Sequence, residues 1–279
     1  MDVCRDEWRL IIDSPKTGSE NMAVDEALMY SVKNGESPPT IRFYSWNPPC
    51  VSIGYFQKLD QEVDSVVCDK LGYDIVRRPT GGRAVLHNHE LTYSVIVGED
   101  HPMIPNEITK AYKILSQGLL NGVKLLGLHA SLTEQAINSS KTGSAACFDA
   151  PSWYELVVEG KKIIGSAQVR KEGILLQHGS IPMTFNSKSL LQVLNFSSQD
   201  TRNRTEKILS KKAGGIQELA PEELKDSLTM DNITSSLITG FEQALNITLA
   251  EKTLSDVEKM QIEQLIDNKY GSDNWNYKR

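Results

Sequence analysis

The sequence predicts an α+β fold in which a mixed or antiparallel β-sheet carries flanking helices and is followed by a helical C-terminal segment. Three observations predict it. Short aromatic and β-branched runs fill most of the first half, one long amphipathic helix spans 106–126, and helical patterns dominate beyond residue 187. Because strands and helices are segregated and do not alternate as βαβ units, the pattern is typical of the α+β class.

The first half of the chain contains a series of predicted strands with three predicted helices among them. The strands cover 8–13, 41–46, 51–56, 74–78, 83–87 and 91–97, and the helices cover 21–32, 61–71 and 106–126. We expect Ser19 or Asn21 to cap the first helix. Gly72 and Gly127 are expected to end the other two. The Asn-Pro-Pro run at 47–49 indicates a tight connection between the second and third strands.

The second half begins with a polar, aperiodic stretch at 133–143, which we predict to be a mobile loop. A β-hairpin is predicted next, and then one further strand. The hairpin joins 154–158 to 162–170 through a turn at 159–161, the last strand covers 174–183, and helices follow near 187–194, 202–211, 221–228, 231–245 and 255–269. We expect a single catalytic domain over 1–279, with a core at about 38–248 and a C-terminal helical extension at 249–279.

Composition restricts the classes of function. The chain has 279 residues, 39% hydrophobic and 24% charged, as expected of a globular protein that buries a substantial core. Its net charge of -6 and pI of about 5.5 argue against a general nucleic-acid binder. No apolar run approaches the roughly 20 residues that a membrane helix needs, so no membrane association is expected.

The cysteines and the N-terminus indicate a cytoplasmic protein. Cys4, Cys50, Cys68 and Cys147 have no paired spacing, so the sequence predicts reduced thiols and neither a disulfide framework nor a zinc knuckle. The first residues lack the apolar core of a signal peptide. His87 and His89 alternate on a predicted strand without a cysteine or acidic cluster nearby, and no metal site is predicted.

The segment around Cys147 is the first candidate for chemistry. Cys147 lies among small residues at 144–150, just before a predicted strand, and Lys161 and Lys162 follow where the next turn meets the next strand. A thiol must ionise before it attacks a carbonyl, and a nearby ammonium group favours the thiolate. A cysteine beside a lysine is therefore a plausible acyl carrier, although a lone cysteine is more commonly a small buried hydrophobic residue.

The run Arg-Arg-Pro-Thr-Gly-Gly-Arg at 77–83 is the second candidate. Gly81 and Gly82 allow backbone N–H groups to approach a ligand, and Arg77 and Arg83 offer forked donors to carboxyl, amide or phosphate oxygens. His87 follows on the same predicted strand and is a further candidate for substrate contact or proton transfer. The alternative is an ordinary turn with solvated arginines. No Gly-Lys-Ser/Thr follows, so the run is not a P-loop, and it does not match a dinucleotide fingerprint.

Together these segments resemble the biotin/lipoate protein ligase superfamily, and within it the octanoyltransferases of Gram-positive bacteria. The similar residues are Arg77-Arg78-Pro79-Thr80-Gly81-Gly82-Arg83, Glu90-Leu91-Thr92-Tyr93-Ser94-Val95, Ala146-Cys147-Phe148-Asp149-Ala150-Pro151-Ser152-Trp153-Tyr154-Glu155-Leu156 and Gly165-Ser166-Ala167-Gln168. The resemblance runs from Trp8 to Met183 and resumes at 273–279.

The resemblance implies a two-step acyl transfer in lipoate biosynthesis and protein lipoylation. Octanoyl-acyl carrier protein is the implied donor, and a lysine of a lipoyl-domain protein, typically the glycine cleavage H protein, is the implied acceptor. The family's nucleophilic cysteine falls on Cys147, and the lysine that lowers its pKa falls on Lys162. Thioester exchange followed by amide formation needs no ATP, so no cofactor is expected. We expect a monomer.

Several alternatives remain open at the level of sequence. An ATP-dependent lipoate–protein ligase, an octanoyl amidotransferase acting between lipoyl domains, and a non-catalytic carrier-binding protein would share this fold. His178 is expected to be structural. Tyr44, Tyr55 and Leu86 are candidates for an acyl tunnel or for core packing. The basic cluster Arg202, Arg204, Lys207, Lys211 and Lys212 is either a docking patch for an acidic carrier or a solvated helix face.

Overall fold

A computed structural model describes residues 5–134 and 154–278. Its strands form two sheets, an eight-stranded one and a three-stranded one. The strands are β1 (Asp6–Ile12), β2 (Thr40–Tyr44), β3 (Cys50–Ile53), β4 (Asp74–Arg77), β5 (Val85–His87), β6 (Glu90–Gly98), β7 (Ala130–Glu134), β8 (Tyr154–Val158), β9 (Lys161–Lys171), β10 (Ile174–Pro182) and β11 (Ile247–Glu251).

Helices cover both faces of the large sheet and flank the small one. They are α1 (Gly18–Lys33), α2 (Leu59–Glu62), α3 (Ser65–Leu71), α4 (Ile108–Leu125), α5 (Ser187–Gln192), α6 (Gln199–Lys212), α7 (Ile216–Leu219), α8 (Glu222–Lys225), α9 (Met230–Leu245), α10 (Asp256–Leu265), a π-helical turn (Ile266–Tyr270) and α11 (Asp273–Asn276). None of the described helices is both long and apolar enough to cross a membrane.

The large sheet has the strand order β11-β1-β2-β6-β10-β9-β8-β7. Its first three strands are parallel and the remaining neighbours pair antiparallel. The small sheet has the order β4-β3-β5, with one parallel and one antiparallel pair. A mixed sheet with segregated helices confirms the α+β class. The short segment 45–49, with a cis bond between Asn47 and Pro48, carries the chain from one sheet to the other.

Elements outside the predicted core of 38–248 also contribute to the large sheet. β1 lies between β2 and β11, and β11 crosses the expected boundary at 249. This last strand was predicted as part of a helical region. Its five residues are too short to show a period, and the parallel pairing with β1 makes it a strand. The predicted helix at 61–71 is two helices in the structure, α2 and α3, and Gly72 ends the second with a positive φ of 68°.

The two faces of the large sheet are packed differently. On one face α4 and α9 cover the largest apolar cluster. Their backbones touch, because a Cβ atom added to Gly240 would lie 2.3 Å from the backbone nitrogen of Gly122. The other face is covered by α1 and α10, with the π-helical turn beside them.

Helix α1 is buried on nearly all sides, since the large sheet, the small sheet and α10 surround it. Its N-cap is Thr17, not Ser19 or Asn21 as the sequence predicted. The Thr17 hydroxyl accepts a hydrogen bond from the Glu20 N–H, and the Glu20 carboxylate accepts one from the Thr17 N–H. This capping box places the N-cap two residues before Ser19.

Candidate active site

A cavity of about 360 Å³ lies between the large sheet and the small sheet. Strands β2, β6, β10 and β9 form one wall, and β3, β5 and the N-terminal half of α1 contribute the rest. The lining residues are Met22, Tyr44, Trp46, Ser52, Arg78, Val85, His87, Thr92, Gly165, Ser166, Ala167, His178, Gly179 and Ser180. The exposed surface of the cavity is mainly apolar.

Trp46 and His87 stack at the β2 end of the cavity. Their rings are 4.0 Å apart between centroids and nearly parallel, at 19°. The indole N–H of Trp46 donates a hydrogen bond of 2.8 Å to the Thr92 hydroxyl, which fixes the ring. Because both side chains are held in place, this end of the cavity is a rigid wall.

His87 is bonded at both ring nitrogens. Its Nδ1 lies 3.1 Å from the Glu90 carboxylate, and its Nε2 lies 2.7 Å from the Ser52 hydroxyl. A carboxylate only accepts, so Nδ1 carries the proton and Nε2 accepts from Ser52. Glu90 also accepts from the hydroxyls of Thr92 and Ser180. His87 thus reaches the cavity through its ring face, as part of a fixed polar network.

His178, on β10, is also bonded at both ring nitrogens. Its Nδ1 lies 3.1 Å from the Asp25 carboxylate and its Nε2 lies 2.7 Å from the Thr80 hydroxyl. Burial lowers the pKa of the imidazole below its ordinary value, although the hydrogen bond and charge of Asp25 oppose that shift. A neutral His178 that donates to Asp25 and accepts from Thr80 satisfies both nitrogens. This geometry agrees with the expected structural role.

Asp25 is the centre of the polar layer behind the cavity. Its carboxylate also accepts from the Arg42 guanidinium at 2.9 Å, from the Tyr44 hydroxyl at 3.0 Å and from the Ser94 hydroxyl at 3.0 Å. Burial raises the pKa of Asp25, but the hydrogen bond from His178 and the charge of Arg42 outweigh it, so the net shift is downward. The ionised carboxylate therefore ties α1 to β2, β6 and β10.

Arg78 holds the turn that contains Gly81 and Gly82. Its guanidinium donates to the carbonyls of Ser52, Gly81 and Arg83 at 2.9, 2.8 and 2.7 Å. Gly82 has a positive φ of 92°, and a Cβ atom there would lie 4.0 Å from that of Ala167 in the cavity wall. The turn therefore lies beside Ala167, at the edge of the cavity, and its role in substrate binding stays a prediction.

Arg77 points to a different part of the molecule. Its buried guanidinium donates to the carbonyls of Gly54, Tyr55 and Gln57, and also to those of Trp275 and Asn276 near the C-terminus. Arg77 is the last residue of β4 and Arg78 follows it in extended backbone, so successive side chains point to opposite faces and the adjacent arginines contact different regions. The geometry gives Arg77 a structural contact with the C-terminal segment, and its predicted substrate contact gains no support.

Lys162 lies near the start of β9, and a β-bulge sets its direction. Leu156 pairs with Ile164 and Val157 pairs with Lys162, so residue 163 is the extra one. Leu156 and Ile164 belong to the cluster beneath α4 and α9. The bulge turns Lys162 to the opposite face, where its Nζ lies 3.1 Å from the Glu155 carboxylate. Only 4% of Lys162 is exposed, so this is a buried cation with a carboxylate partner.

Of the four cysteines, Cys147 and Cys4 lie outside the described residues, so the predicted nucleophile has no described geometry. Most of the predicted loop 133–143 lies outside them too, while residues 133 and 134 end β7. Cys50 and Cys68 are buried free thiols. Burial raises the pKa of Cys50 well above its usual range and that of Cys68 to about 11. Both are thus protonated at neutral pH, and neither is an activated thiol.

Sequence reasoning missed several groups that shape the cavity, above all Asp25, Trp46 and Arg78. A signal for Asp25 was available, since Asp25 and Glu26 interrupt an otherwise apolar helix that the structure buries.

Of the predicted tunnel residues, Tyr44 lines this cavity. Leu86 instead lines a second cavity, of about 650 Å³, beside Phe185. Tyr55 packs edge-on against Phe56 and Trp275.

The fold is that of the lipoyl protein ligase catalytic domain. The family model described as the lipoyl protein ligase A/B catalytic domain matches residues 17–242. The bipartite lipoate protein ligase of Thermoplasma acidophilum has a TM-score of 0.81 at 26% identity, covering 98% of this chain and 96% of its own. The resemblance of the whole described fold to this ligase agrees with the class expected from the sequence.

Curated relatives define the branch of that class. Octanoyltransferase LipM of Anoxybacillus flavithermus is 45% identical over 280 residues, covering 99% of both chains. Octanoyltransferase LipM of Halalkalibacterium halodurans is 46% identical over 277 residues, covering 98% of this chain and 99% of its own. The chain belongs to the octanoyltransferase LipM family.

Proposed function

We propose that this enzyme transfers an octanoyl group from octanoyl-acyl carrier protein to a lysine of a lipoyl domain, such as that of the glycine cleavage H protein, through a thioester on Cys147. One observation carries the proposal. The apolar cavity runs along the sheet from Trp46 at β2 to Gly165–Ala167 at β9, and Lys162 lies on β9 three residues before Gly165. An acyl chain in this cavity has its carboxyl end on the same strand as a buried cation.

The length of the cavity supports a medium-length acyl chain. It crosses three strand intervals, from β2 to β6, β10 and β9, which corresponds to about 14 Å at the usual strand spacing. The lining along this path is mainly apolar, so the chain is desolvated over most of its length. Trp46 and His87 close the far end and thereby limit chain length.

Cys147 is within reach of the carboxyl end of that path. It precedes Tyr154 by seven residues, and seven residues span at most about 25 Å. Tyr154 begins β8 two residues before Leu156, whose partner is Ile164, so the chain enters the sheet beside Gly165 and Ser166. We propose Lys162 as the cation that favours the Cys147 thiolate, with the Glu155 carboxylate holding the ammonium in place.

The first half-reaction is thioester exchange. The Cys147 thiolate attacks the octanoyl carbonyl, a new C–S bond forms, and the C–S bond to the carrier arm breaks. The departing thiolate takes up one proton from solvent. The Gly81–Gly82 turn at the cavity edge is the proposed donor region for substrate oxygens, because glycine leaves its backbone N–H groups accessible.

The second half-reaction forms an amide. The neutral amine of the acceptor lysine attacks the Cys147 thioester, the C–N bond forms and the C–S bond breaks. The nitrogen loses one proton and the Cys147 thiolate is regenerated. Conversion of a thioester into an amide is downhill, so no nucleotide is consumed.

Intact-mass spectrometry after incubation with octanoyl-acyl carrier protein tests this proposal. We expect one octanoyl adduct that hydroxylamine removes and that a lipoyl domain discharges. Cys147→Ala should abolish the adduct, whereas Cys68→Ala should retain it because Cys68 is a buried, protonated thiol. Full transfer by Cys147→Ala would refute the mechanism.

Two other outcomes would indicate a different enzyme. Modification of a lipoyl domain that requires ATP and free lipoate would indicate a ligase. An octanoylated lipoyl domain as the only working donor would indicate an amidotransferase.

We also propose a cytoplasmic location. Two buried cysteines in the described residues, Cys50 and Cys68, are free thiols, which suits a reducing compartment.

A further inference from the structure

Helix α6 carries an unusual concentration of positive charge for this acidic protein. It has five basic and two acidic residues, a net charge of +3 in a chain of net charge -6. Arg204, Lys207 and Lys211 follow one another at intervals of three and four residues, so they form a single stripe. All three are exposed, and Thr205 and Leu209 bury the opposite side of the helix.

The stripe consists of unneutralised charge. Some exposed lysines elsewhere pair with carboxylates, as Lys252 does with Glu7 and Lys259 with Asp256. Within residues 5–134 and 154–278, by contrast, Arg204, Lys207 and Lys211 make no ion pair. Three neighbouring cations without ion-pair partners, on a helix of net charge +3, produce a local positive potential that attracts an acidic surface.

The helix is joined directly to the proposed catalytic lysine. Ala213, which follows α6, pairs with Lys162 in a parallel β-bridge. The backbone N–H of Gly214 donates to the Lys162 carbonyl at 3.1 Å. Lys211 is two residues before Ala213, and the stripe extends about 10 Å further to Arg204 at the helical rise of 1.5 Å per residue. A partner on this stripe is therefore adjacent to the strand where the acyl group is transferred.

We propose that the stripe Arg204–Lys207–Lys211 is the docking surface for the acidic carrier protein that delivers the acyl group as a thioester on a flexible arm. The inference rests on the proposed function, since it assumes a protein-bound thioester donor. Charge complementarity selects an acidic partner. The β-bridge between Ala213, at the end of α6, and Lys162 brings the attachment point of the carrier's flexible arm near the transfer site. The charges guide encounter and orientation and take no part in the chemistry.

The triple variant Arg204→Glu/Lys207→Glu/Lys211→Glu tests the proposal. Its rate of acylation by octanoyl-acyl carrier protein at low salt should fall about 10-fold to 100-fold, the range of electrostatic steering. Acylation by octanoyl-pantetheine, a small thioester without a protein surface, should stay within about twofold of wild type because no docking is involved. Added salt should slow the wild-type reaction with the carrier protein and leave the triple variant almost unaffected.

A matched control reverses the same amount of charge elsewhere. Lys225→Glu/Lys252→Glu/Lys259→Glu changes the net charge equally, at lysines in α8, α10 and the segment after β11. This control should acylate from carrier protein at nearly the wild-type rate. Equal losses in both triple variants would overturn the proposal, because net charge and not the stripe would then be responsible.

Two further outcomes would also overturn it. If the stripe variant loses acylation by octanoyl-pantetheine as well, α6 acts on the reactive site and not on docking. If it acylates normally but discharges slowly to a lipoyl domain, the stripe belongs to the acceptor. Failure of the proposed function itself is distinguishable, because the wild-type enzyme would then form no adduct with either donor.

Discussion

The two faces of the eight-stranded sheet bury very different chemistry. Against α4 and α9 the sheet is mainly apolar, with one small hydrogen-bonded group at Gln177, Tyr93 and Ser166, and glycines at 118, 122 and 240 let the two helices touch. Against α1 it buries Asp25, Arg42 and His178 in one hydrogen-bonded network beside the candidate acyl cavity. The same strands thus supply a packed core on one side and a shaped, polar-backed cavity on the other.

This difference separates what holds the fold together from what prepares the site. Apolar contacts stabilise in proportion to the area they bury and tolerate small adjustments. A buried ion pair gives little net stability, but removing one partner leaves an uncompensated charge. We therefore expect changes on the α4/α9 face to alter stability alone, and changes on the α1 face to alter stability together with transfer.

The largest effect is expected from Asp25→Ala. It leaves Arg42 buried without one of its carboxylates and removes the acceptor of Tyr44 and His178, which should cost about 3–5 kcal/mol of unfolding free energy. Phe241→Ala beneath α4 should cost a similar amount through its cavity. Urea unfolding followed by circular dichroism measures both losses.

The rate of octanoyl transfer distinguishes a variant on one face of the sheet from a variant on the other. Under conditions where both remain folded, Phe241→Ala should keep the wild-type rate of octanoyl transfer per molecule, because Phe241 is on the face away from the cavity. The milder Asp25→Asn should lose transfer, since Tyr44 and His178 line the cavity. Equal activity in Phe241→Ala and Asp25→Asn would remove the distinction between the faces.

The next effect concerns chain length. Trp46→Ala removes the wall that is stacked on His87 and bonded to Thr92, so the cavity extends past β2. Each additional buried methylene changes discrimination by about 1–3 kcal/mol, so the preference for octanoyl over dodecanoyl donors should fall by at least about 10-fold. Competition between the two donors, read by mass spectrometry, measures the ratio. An unchanged ratio would place the end of the acyl chain elsewhere.

The sequence predicted the local elements well, because each depends on neighbours in the chain. The hairpin of β8 and β9 follows from the turn at Glu159 and Gly160, which both have a positive φ. β11 was missed because its pairing with β1 joins residues far apart in sequence. The bulge that redirects Lys162 was missed for a similar reason, since a bulge depends on the register of two strands.

The candidate site was less predictable than the fold. Asp25 and His178 are 153 residues apart, and only the packing of α1 against β10 brings them together. Arg77 and Arg78 are equivalent in the sequence, yet one binds the C-terminal segment and the other the Gly81–Gly82 turn. Long-range contacts of this kind leave no local period, so the sequence did not predict them.

A smaller effect should appear in the pH dependence of stability. The folded-state pKa of His178 is lowered by burial, so the unfolded chain binds a proton more readily. Stability from the neutral imidazole is therefore fully present above the unfolded value of about 6.5 and is lost as pH falls below it. The lowered pKa of Asp25 acts in the same direction at lower pH.

Thermal unfolding between pH 8 and pH 5 measures this slope. His178→Gln removes the titrating group on the α1 face and should flatten the curve near pH 6. His101→Gln is the control, because His101 packs edge-on against Trp8 and does not line the cavity. A wild-type curve that is already flat between pH 7 and pH 5 would show that His178 does not contribute.

The smallest expected effect compares two helix caps, one on each face. Thr17 caps α1 and Thr229 caps α9, and each hydroxyl accepts from a backbone N–H three residues later. Replacing either by alanine removes one such bond and should cost about 1 kcal/mol. The Thr17 hydroxyl also donates to the Glu20 carboxylate at 2.7 Å, so Thr17→Ala loses a second hydrogen bond and should be at the higher end of that range. Helix α1 carries Asp25, so fraying at its start can disturb the cavity. If Thr17→Ala transfers octanoyl more slowly than Thr229→Ala when both have lost similar stability, fraying of α1 reaches the cavity. Equal transfer rates in the two variants would show that the contacts of Asp25 hold α1 in place without its cap.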